Sequence, residues 1–174
     1  MSLLPALRST HNLTPLRRLE GISYWVIESE DQIYEFINTN IKKEIEADQR
    51  HTFPLQALGD LTWKLEIMAL TQLSFDPEVT ECVDLASGYN FKESLSRRIQ
   101  ALREAIEVYD TVIWPLVVLR RGLRLVDGYC RQATLRAMNI SKSYAYVGYD
   151  DSKPTGSASR EENKGITTIR KTTS

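Results

Sequence analysis

The chain has little of the chemistry that most often reveals a protein's function. Its 174 residues include only two cysteines, Cys82 and Cys130, and two histidines, His11 and His51. Two cysteines do not make the disulfide framework of a small secreted domain. The sequence has no CxxC and no HExxH motif, so it shows no zinc pattern. A Walker A loop and a GxGxxG fingerprint are also absent, which removes the common sequence signals for nucleotide binding.

Strong charge and long hydrophobic runs are missing as well. The formal net charge is −1, which excludes a dominant basic field for nucleic acid or membrane binding. No apolar run approaches the roughly 18 residues of a membrane-spanning helix, and the first residues lack the apolar stretch of a signal peptide. Hydrophobic residues make up 42% and charged residues 26%, as in ordinary globular domains. We therefore expect a cytoplasmic protein with one hydrophobic core and no membrane contact.

The first part of the chain predicts an arm followed by a strand and a helix. Residues 1–20 contain Pro5, Pro15 and a basic pair, and we interpret them as an N-terminal arm. The sequence ISYWVIES (Ile22–Ser29) is rich in β-branched and aromatic residues and predicts a strand. After Ser29, apolar residues recur at helical spacing. We interpret residues 21–59 as a strand-helix extension, and the sequence leaves open whether it joins the sheet that follows.

Residues 60–149 predict a small mixed sheet with packed helices. A strand is expected over about Thr62–Leu70, where apolar and polar residues first alternate. Asn90 and Glu93 have the spacing of a capping box before an amphipathic helix. Pro115 interrupts the next apolar run and is expected at the start or edge of a strand.

The last ordered part predicts a hairpin, a short helix and a closing strand. The hairpin turns around Arg121-Gly122, and a helix is expected over Cys130–Met138. Asn139 suits the left-handed position at the end of that helix. The sequence SYAYVGY predicts the closing strand, and residues 150–174 lack a core pattern and predict a disordered tail. The mixed order of strands and helices indicates the α+β class.

The segment RLVDGYCRQATLRAMNI (Arg124–Ile140) carries most of the functional information. Here an apolar run ends in Asp127-Gly128, and Arg131 follows in the first turn of the short helix. A helix N-terminus exposes unpaired N–H groups and a partial positive charge. Gly128 lets the backbone approach an oxyanion closely, and Arg131 adds paired donors for phosphate. The pattern predicts an anion site suited to a nucleotide phosphate. The plain alternative is a turn in which Asp127 caps the helix and Arg131 is solvated.

The run Leu116–Gly148 resembles the ParB/sulfiredoxin superfamily. The likeness lies in an ordered set of segments: LSRRIQALREAIEVY, PLVVLRRG, LVDGYCR, QATLRAMNI and SYAYVG. Within it, Asp127, Gly128 and Arg131 match the Asp-Gly-x-x-Arg form of the family motif. The resemblance covers roughly half of the chain. It implies a ParB/sulfiredoxin-like fold for residues 60–149, with nucleotide phosphates held by Gly128, Tyr129, Cys130 and Arg131.

One branch of the superfamily gives the leading hypothesis for activity. The chain resembles free serine kinases, which move a phosphoryl group from a nucleotide to a small hydroxyl compound. Their motif reads Asp-Gly-His-His-Arg, so Tyr129 and Cys130 stand here in place of both histidines. Glu78 lies near the place of the family's catalytic glutamate and could act as base, and Asp127 could act near the metal or the phosphates. The implied cofactors are a nucleoside triphosphate or diphosphate of unidentified base and Mg²⁺.

Two other branches fit the sequence less well. Sulfiredoxins have a Gly-Cys-His-Arg motif, whereas Cys130 stands one place later, and this shift rotates a helical side chain by about 100°. ParB proteins continue into a helix-turn-helix domain, and only a polar tail follows Gly148, so sequence-specific DNA binding is not expected. The loss of both histidines also fits a non-catalytic protein that binds a nucleotide or a partner. Catalysis and homo-oligomerisation stay open.

Overall fold

The described residues fold around a four-stranded mixed sheet with helices on both faces. The computed structural model describes residues 16–47, 58–75, 83–84 and 89–150. Its strands are β1 (Arg17–Leu19), β2 (Ile22–Tyr24), β3 (Thr62–Ala69), β4 (Val83–Asp84), β5 (Tyr89–Asn90), β6 (Leu116–Leu119), β7 (Arg124–Asp127) and β8 (Lys142–Tyr149). Its α-helices are α1 (Glu30–Phe36), α2 (Lys42–Ala47), α3 (Phe91–Tyr109) and α4 (Tyr129–Ala137). A π-helical turn (Ile37–Ile41) joins α1 to α2, and short 3₁₀ turns cover Leu70–Gln72 and Arg121–Leu123.

The central sheet has four strands in the order β3-β8-β6-β7, and two further two-stranded sheets pair β1 with β2 and β4 with β5. β8 pairs antiparallel with β3 along its whole length, with Trp63 opposite Gly148. On its other side β8 runs parallel to β6, and β6 forms an antiparallel hairpin with β7. A mixed sheet combined with separate helices confirms the predicted α+β class.

Each face of this sheet packs against a core cluster, since successive side chains of a strand point to opposite sides. Leu116 and Val118 of β6 belong to the core cluster that contains Ile106 of α3 and Leu135 of α4. Val117, which lies between them, belongs to a second cluster. The second cluster is filled mainly from α1, the π-helical turn and α2, by Ile33, Phe36, Ile37, Ile41 and Ile45. The molecule therefore has three layers, with the sheet in the middle.

The N-terminal extension supplies one of these layers. Residues 23–25 join the edge of the core through a bridge to Ile113, where the amide of Trp25 donates to the Ile113 carbonyl at 3.0 Å. The amide of Ile27 then donates to the buried hydroxyl of Tyr146 in β8, at 3.1 Å. This side-chain partner explains why the predicted strand over Ile22–Ser29 is wrong beyond Tyr24. The division of the chain at residue 60 stays a prediction.

The predicted helix after Ser29 is confirmed, but it is interrupted by the π-helical turn. Two asparagine side chains in this turn donate back to main-chain carbonyls four residues earlier. Asn38 donates to the carbonyl of Tyr34 at 2.9 Å, and Asn40 donates to that of Phe36 at 3.4 Å. Such side-chain bonds compete with the regular helical ladder. The turn still keeps Ile37 and Ile41 buried.

Cap, turn and proline residues in the sequence predicted several other boundaries of helices and strands correctly. The side chain of Asn90 accepts a hydrogen bond from the amide of Glu93 at 3.3 Å, as expected for a helix cap. Pro115 directly precedes β6, and Gly122 has φ 71° in the hairpin turn. Asn139 takes the left-handed conformation after α4, with φ 59°. The predicted arm falls mostly, and the predicted tail almost entirely, outside the described residues. No helix in the described ranges is long and apolar enough to cross a membrane.

The pairing of β3 with β8 predicts a strong effect of one added methyl group. A Cβ at Gly148 would lie 2.9 Å from both Leu61 Cδ1 and the far edge of the buried Trp63 ring. We expect Gly148→Ala to lower the free energy of unfolding by about 1–3 kcal/mol, because overpacking forces neighbouring side chains to shift. Urea unfolding followed by tryptophan fluorescence measures this.

The matched control is Lys142→Ala at the exposed start of the same strand. It should change the free energy of unfolding by no more than about 0.5 kcal/mol. Equal stability of Gly148→Ala and the wild-type chain would show that the core around Trp63 is looser than described.

Candidate functional site

The turn between β7 and α4 has the backbone geometry of an anion site. β7 ends at Asp127, Gly128 takes the left-handed conformation with φ 103°, and α4 begins at Tyr129. A Cβ at residue 128 would lie only 2.6 Å from Leu116 Cδ2, so packing and conformation both require glycine. Glycine has no side chain to cap the helix, and the structure shows no side-chain cap hydrogen bond at this end. The helix N-terminus therefore keeps its attraction for an anionic group.

Arg131 folds back beside this turn and holds it in place. Its Nη1 donates to the carbonyl oxygens of Trp114 and Pro115, each at 3.0 Å. Its Nη2 donates to the carboxylate of Asp127, with which it forms an ion pair. The side chains of Arg131 and Asp127 are 19% and 31% exposed. Arg131 is thus not simply solvated, and Asp127 pairs with it and does not cap α4, while the choice between a phosphate site and a structural turn stays a prediction.

The two residues at the positions of the family's histidines make local contacts. The hydroxyl of Tyr129 donates to the carbonyl of Leu125 at 3.2 Å, and its ring lies 6.0 Å from that of Phe75. Cys130 is half-buried, with its Sγ 4.0 Å from the hydroxyl of Thr134. Both residues stand in the first turn of α4, as expected, and their proposed phosphate contacts stay predictions.

Glu78, the candidate base, lies outside the described residues. The structure consequently brings together five of the six residues selected from the sequence, Asp127 through Arg131, and leaves the place of Glu78 a prediction.

A carboxylate that sequence reasoning missed lies within electrostatic range of this site. Glu44 on α2 has its pKa raised, first because its surroundings remove part of its hydration and second because Asp127 repels its charge. Arg131 acts in the opposite direction and lowers the pKa of Glu44. The turn thus lies in the field of two carboxylates and one guanidinium. No motif marks Glu44, which precedes Asp127 by more than eighty positions in the sequence.

The described residues hold few side chains that could bind a metal ion together. Within those ranges there is no group of three or more His, Cys, Asp or Glu side chains that could hold one. Mg²⁺ is commonly bound by one or two carboxylates together with substrate phosphates and water. At this turn the carboxylate of Asp127 is already paired with Arg131. Magnesium stays a prediction.

Comparisons with known proteins add a distant similarity of fold. No family model and no curated protein matches the chain. One solved structure, a Pnob8-like ParB-N domain, matches 53% of this chain at 19% identity and a TM-score of 0.37. Another, a pNOB8-like ParB N-domain, matches 59% at 20% identity and a TM-score of 0.34. This chain covers 32% of each of those chains. Both are similarities of fold alone and carry nothing about ligand or activity.

The position of Arg131 predicts a structural cost for its removal. Arg131→Ala would leave the Trp114 and Pro115 carbonyls and the Asp127 carboxylate without this donor. We expect the free energy of unfolding to fall by about 1–3 kcal/mol, the usual cost of unpaired, partly buried polar groups. Arg121→Ala, an exposed arginine in the hairpin turn, is the control and should change stability by less than about 0.5 kcal/mol. Chemical unfolding compares the stabilities of the two variants. Equal stabilities would contradict the role of Arg131 in holding the turn between β7 and α4.

The raised pKa of Glu44 predicts that its substitution changes stability in a pH-dependent way. A carboxyl group with a raised pKa in the folded state destabilises the fold once pH rises through that pKa. Glu44→Gln removes this penalty, so the variant should melt at a higher temperature than wild type at pH 7. The difference should disappear as pH falls below the ordinary value of 4.5, where the carboxyl is protonated in both states. Thermal unfolding at pH 7 and pH 4 tests this, and a constant difference would exclude titration of Glu44 as the cause.

Proposed function

We propose that the turn between β7 and α4 binds the phosphate groups of a nucleotide. The observation that carries this proposal is the uncapped N-terminus of α4, with glycine at the cap position and Arg131 folded against it. A Cβ at residue 128 would lie 3.2 Å from Nη2 and 3.3 Å from Nε of Arg131, so guanidinium and backbone are adjacent. Phosphate oxygens accept hydrogen bonds from both kinds of donor.

Arg131 can contact a ligand while it keeps its hydrogen bonds to Trp114, Pro115 and Asp127, which we call the Arg131 clamp. Its bonds to Trp114, Pro115 and Asp127 use Nη1 and one position of Nη2. Nε and the second hydrogen of Nη2 have no acceptor among the described residues, and a guanidinium has donors at all of these positions. The clamp therefore orients Arg131 before a ligand arrives, which lowers the entropic cost of binding.

The charges around the turn make binding depend on magnesium. Asp127 already neutralises Arg131, and Glu44 adds further negative charge to the same field. These carboxylates offset the attraction of the helix N-terminus for a free nucleotide with several negative charges at neutral pH. Magnesium on the phosphates neutralises that charge and can share oxygen ligands with a carboxylate. The proposed ligand is consequently a magnesium-nucleotide complex.

A second candidate function is transfer of the phosphoryl group to a small hydroxyl compound, or nucleotide hydrolysis. The observation that favours it is Glu44 on α2, whose pKa is raised by partial loss of hydration and by the charge of Asp127, because a carboxyl group with a raised pKa is suited to accept a proton. Glu78 stays a further candidate for the general base that accepts this proton. The alternative is a protein that binds a nucleotide or a partner and catalyses nothing.

Calorimetric titration with ATP, ADP, CTP and GTP tests the binding proposal. We expect saturable micromolar binding of at least one nucleotide with Mg²⁺, and much weaker binding when the metal is chelated. Arg131→Lys should weaken binding tenfold or more, or about 1.4 kcal/mol, because lysine lacks the paired donors. Glu44→Gln should reduce the loss of affinity on chelation, since it removes one repelling charge.

Controls separate loss of binding from loss of fold. Arg121→Ala should bind as wild type does, and Arg131→Lys is titrated at a temperature at which its melting curve shows a folded protein. Absence of binding to every nucleotide, or full affinity in folded Arg131→Lys, would overturn the proposal. Product analysis then distinguishes the candidates: an enzyme releases phosphate or phosphorylated product and loses turnover with Glu44→Gln or Glu78→Gln, and a binding protein shows no turnover.

A further inference from the structure

The outer side of β3 forms one edge of the central sheet. β3 pairs with β8 residue for residue, without a bulge, and among the described strands none pairs with its other side. Sheets commonly shield such an edge with a proline, a bulge or a very short strand. β3 has eight residues and contains no proline. We call the outer side of Trp63–Ile67 the β3 edge, and its outward-pointing amide and carbonyl groups can pair with a further strand.

The two halves of β3 differ in how far α1 covers them. Trp63 is 1% exposed and belongs to the cluster filled from α1, and the carboxylate of Glu30 in α1 lies 3.8 Å from Nζ of Lys64. Ile67 points to the same side of the sheet as Trp63, because the two are four residues apart, yet it is 50% exposed. α1 thus covers the first half of the strand on this side and leaves an apolar side chain open in the second half.

The charges on the opposite side of the sheet are self-complementary. Lys64 and Glu66 share that side, and Tyr149 of β8 contacts both of them. Its ring centroid lies 5.6 Å from Nζ of Lys64, and its hydroxyl donates to the carboxylate of Glu66. The cation and the anion stand on either side of Leu65 in the sequence. Such a strand matches a second copy of itself when that copy runs antiparallel.

Charge selects one register for this pair of strands. With Leu65 opposite Leu65 of the second copy, Lys64 stands opposite Glu66 of the second copy, and the same contact repeats across the two-fold axis. Moving the centre of pairing to either neighbouring residue places two lysines or two glutamates directly opposite each other. A parallel pair in register does both. Like charges directly opposite each other destabilise a sheet, and opposite charges stabilise it.

We propose that two copies of this chain pair through their β3 edges, antiparallel about a two-fold axis at Leu65. Each Ile67 then lies opposite Trp63 of the other copy, beside the α1 that covers it, so its apolar surface is removed from water. Because α1 lies over the first half of each strand, the two helices are offset along the joined sheet. The two four-stranded sheets become continuous, with closed two-fold symmetry.

This dimer is independent of the nucleotide proposal. β3 and β7 are the two opposite edges of the sheet, and only β7 leads into the turn proposed to bind phosphate. Either proposal can therefore fail while the other stands.

Sedimentation equilibrium of the full chain over a wide range of concentrations tests the pairing. We expect the mass to rise from that of one chain to that of two. Lys64→Glu and Glu66→Lys should each weaken dimerisation at least tenfold, because each places two pairs of like charges across the axis. An equimolar mixture of these two variants should regain the dimer, since every pair in the mixed dimer again joins opposite charges.

Two further variants test the surface apart from this charge pattern. Lys92→Glu makes the same charge change at an exposed position of α3 and should dimerise as wild type does. Ile67→Thr keeps a β-branched residue but removes apolar surface, so it should weaken dimerisation several-fold. Every variant is measured at a temperature at which its melting curve shows a folded protein.

Three results would overturn the inference. A single chain at every concentration would leave the β3 edge to another segment or another protein. Unchanged dimerisation in Lys64→Glu or in Glu66→Lys would place the dimer on a different surface. No recovery on mixing the two variants would exclude the register centred on Leu65.

Discussion

The guanidinium of Arg131 connects three parts of the molecule that the rest of the structure depends on. It fixes the carbonyls of Trp114 and Pro115 just before β6, the carboxylate at the end of β7, and the first turn of α4. Leu116 then packs against Gly128 so closely that no side chain fits there. The entry into the central hairpin and the start of the helix are thereby held at one point. The proposed phosphate site uses this same point, so binding and stability share one arginine.

Much of the fold follows from local sequence patterns. Apolar residues at helical spacing placed α1, α2 and α3, and alternating ones placed β3. Asn90, Gly122 and Asn139 mark a helix start, a hairpin turn and a helix end, because each residue type suits the backbone conformation that the position requires. The turn at Asp127-Gly128 and the helix after it were predictable for the same reason.

The remaining features depend on contacts between distant segments, which local patterns do not contain. Arg131 was predicted to face a ligand, yet two of its partners are main-chain carbonyls, which any residue type would supply. Glu44 feels the charges of Asp127 and Arg131 only through the tertiary fold, since it precedes them by more than eighty residues. The predicted strand from Ile22 ends early because Ile27 finds a hydroxyl on β8.

The strand order has a consequence for how the protein reaches this structure. β8 is the last strand of the sheet in the chain, yet it lies between β3 and β6 and pairs with β3 over all of its residues. During synthesis β3 has no sheet partner until residues 142–149 have left the ribosome. Contacts of such wide sequence separation close slowly, because the loop entropy is lost before they form. Nascent chains will therefore expose the Trp63 strand for longer than the local hairpin, which makes this strand the segment where chaperone binding or aggregation during folding should begin.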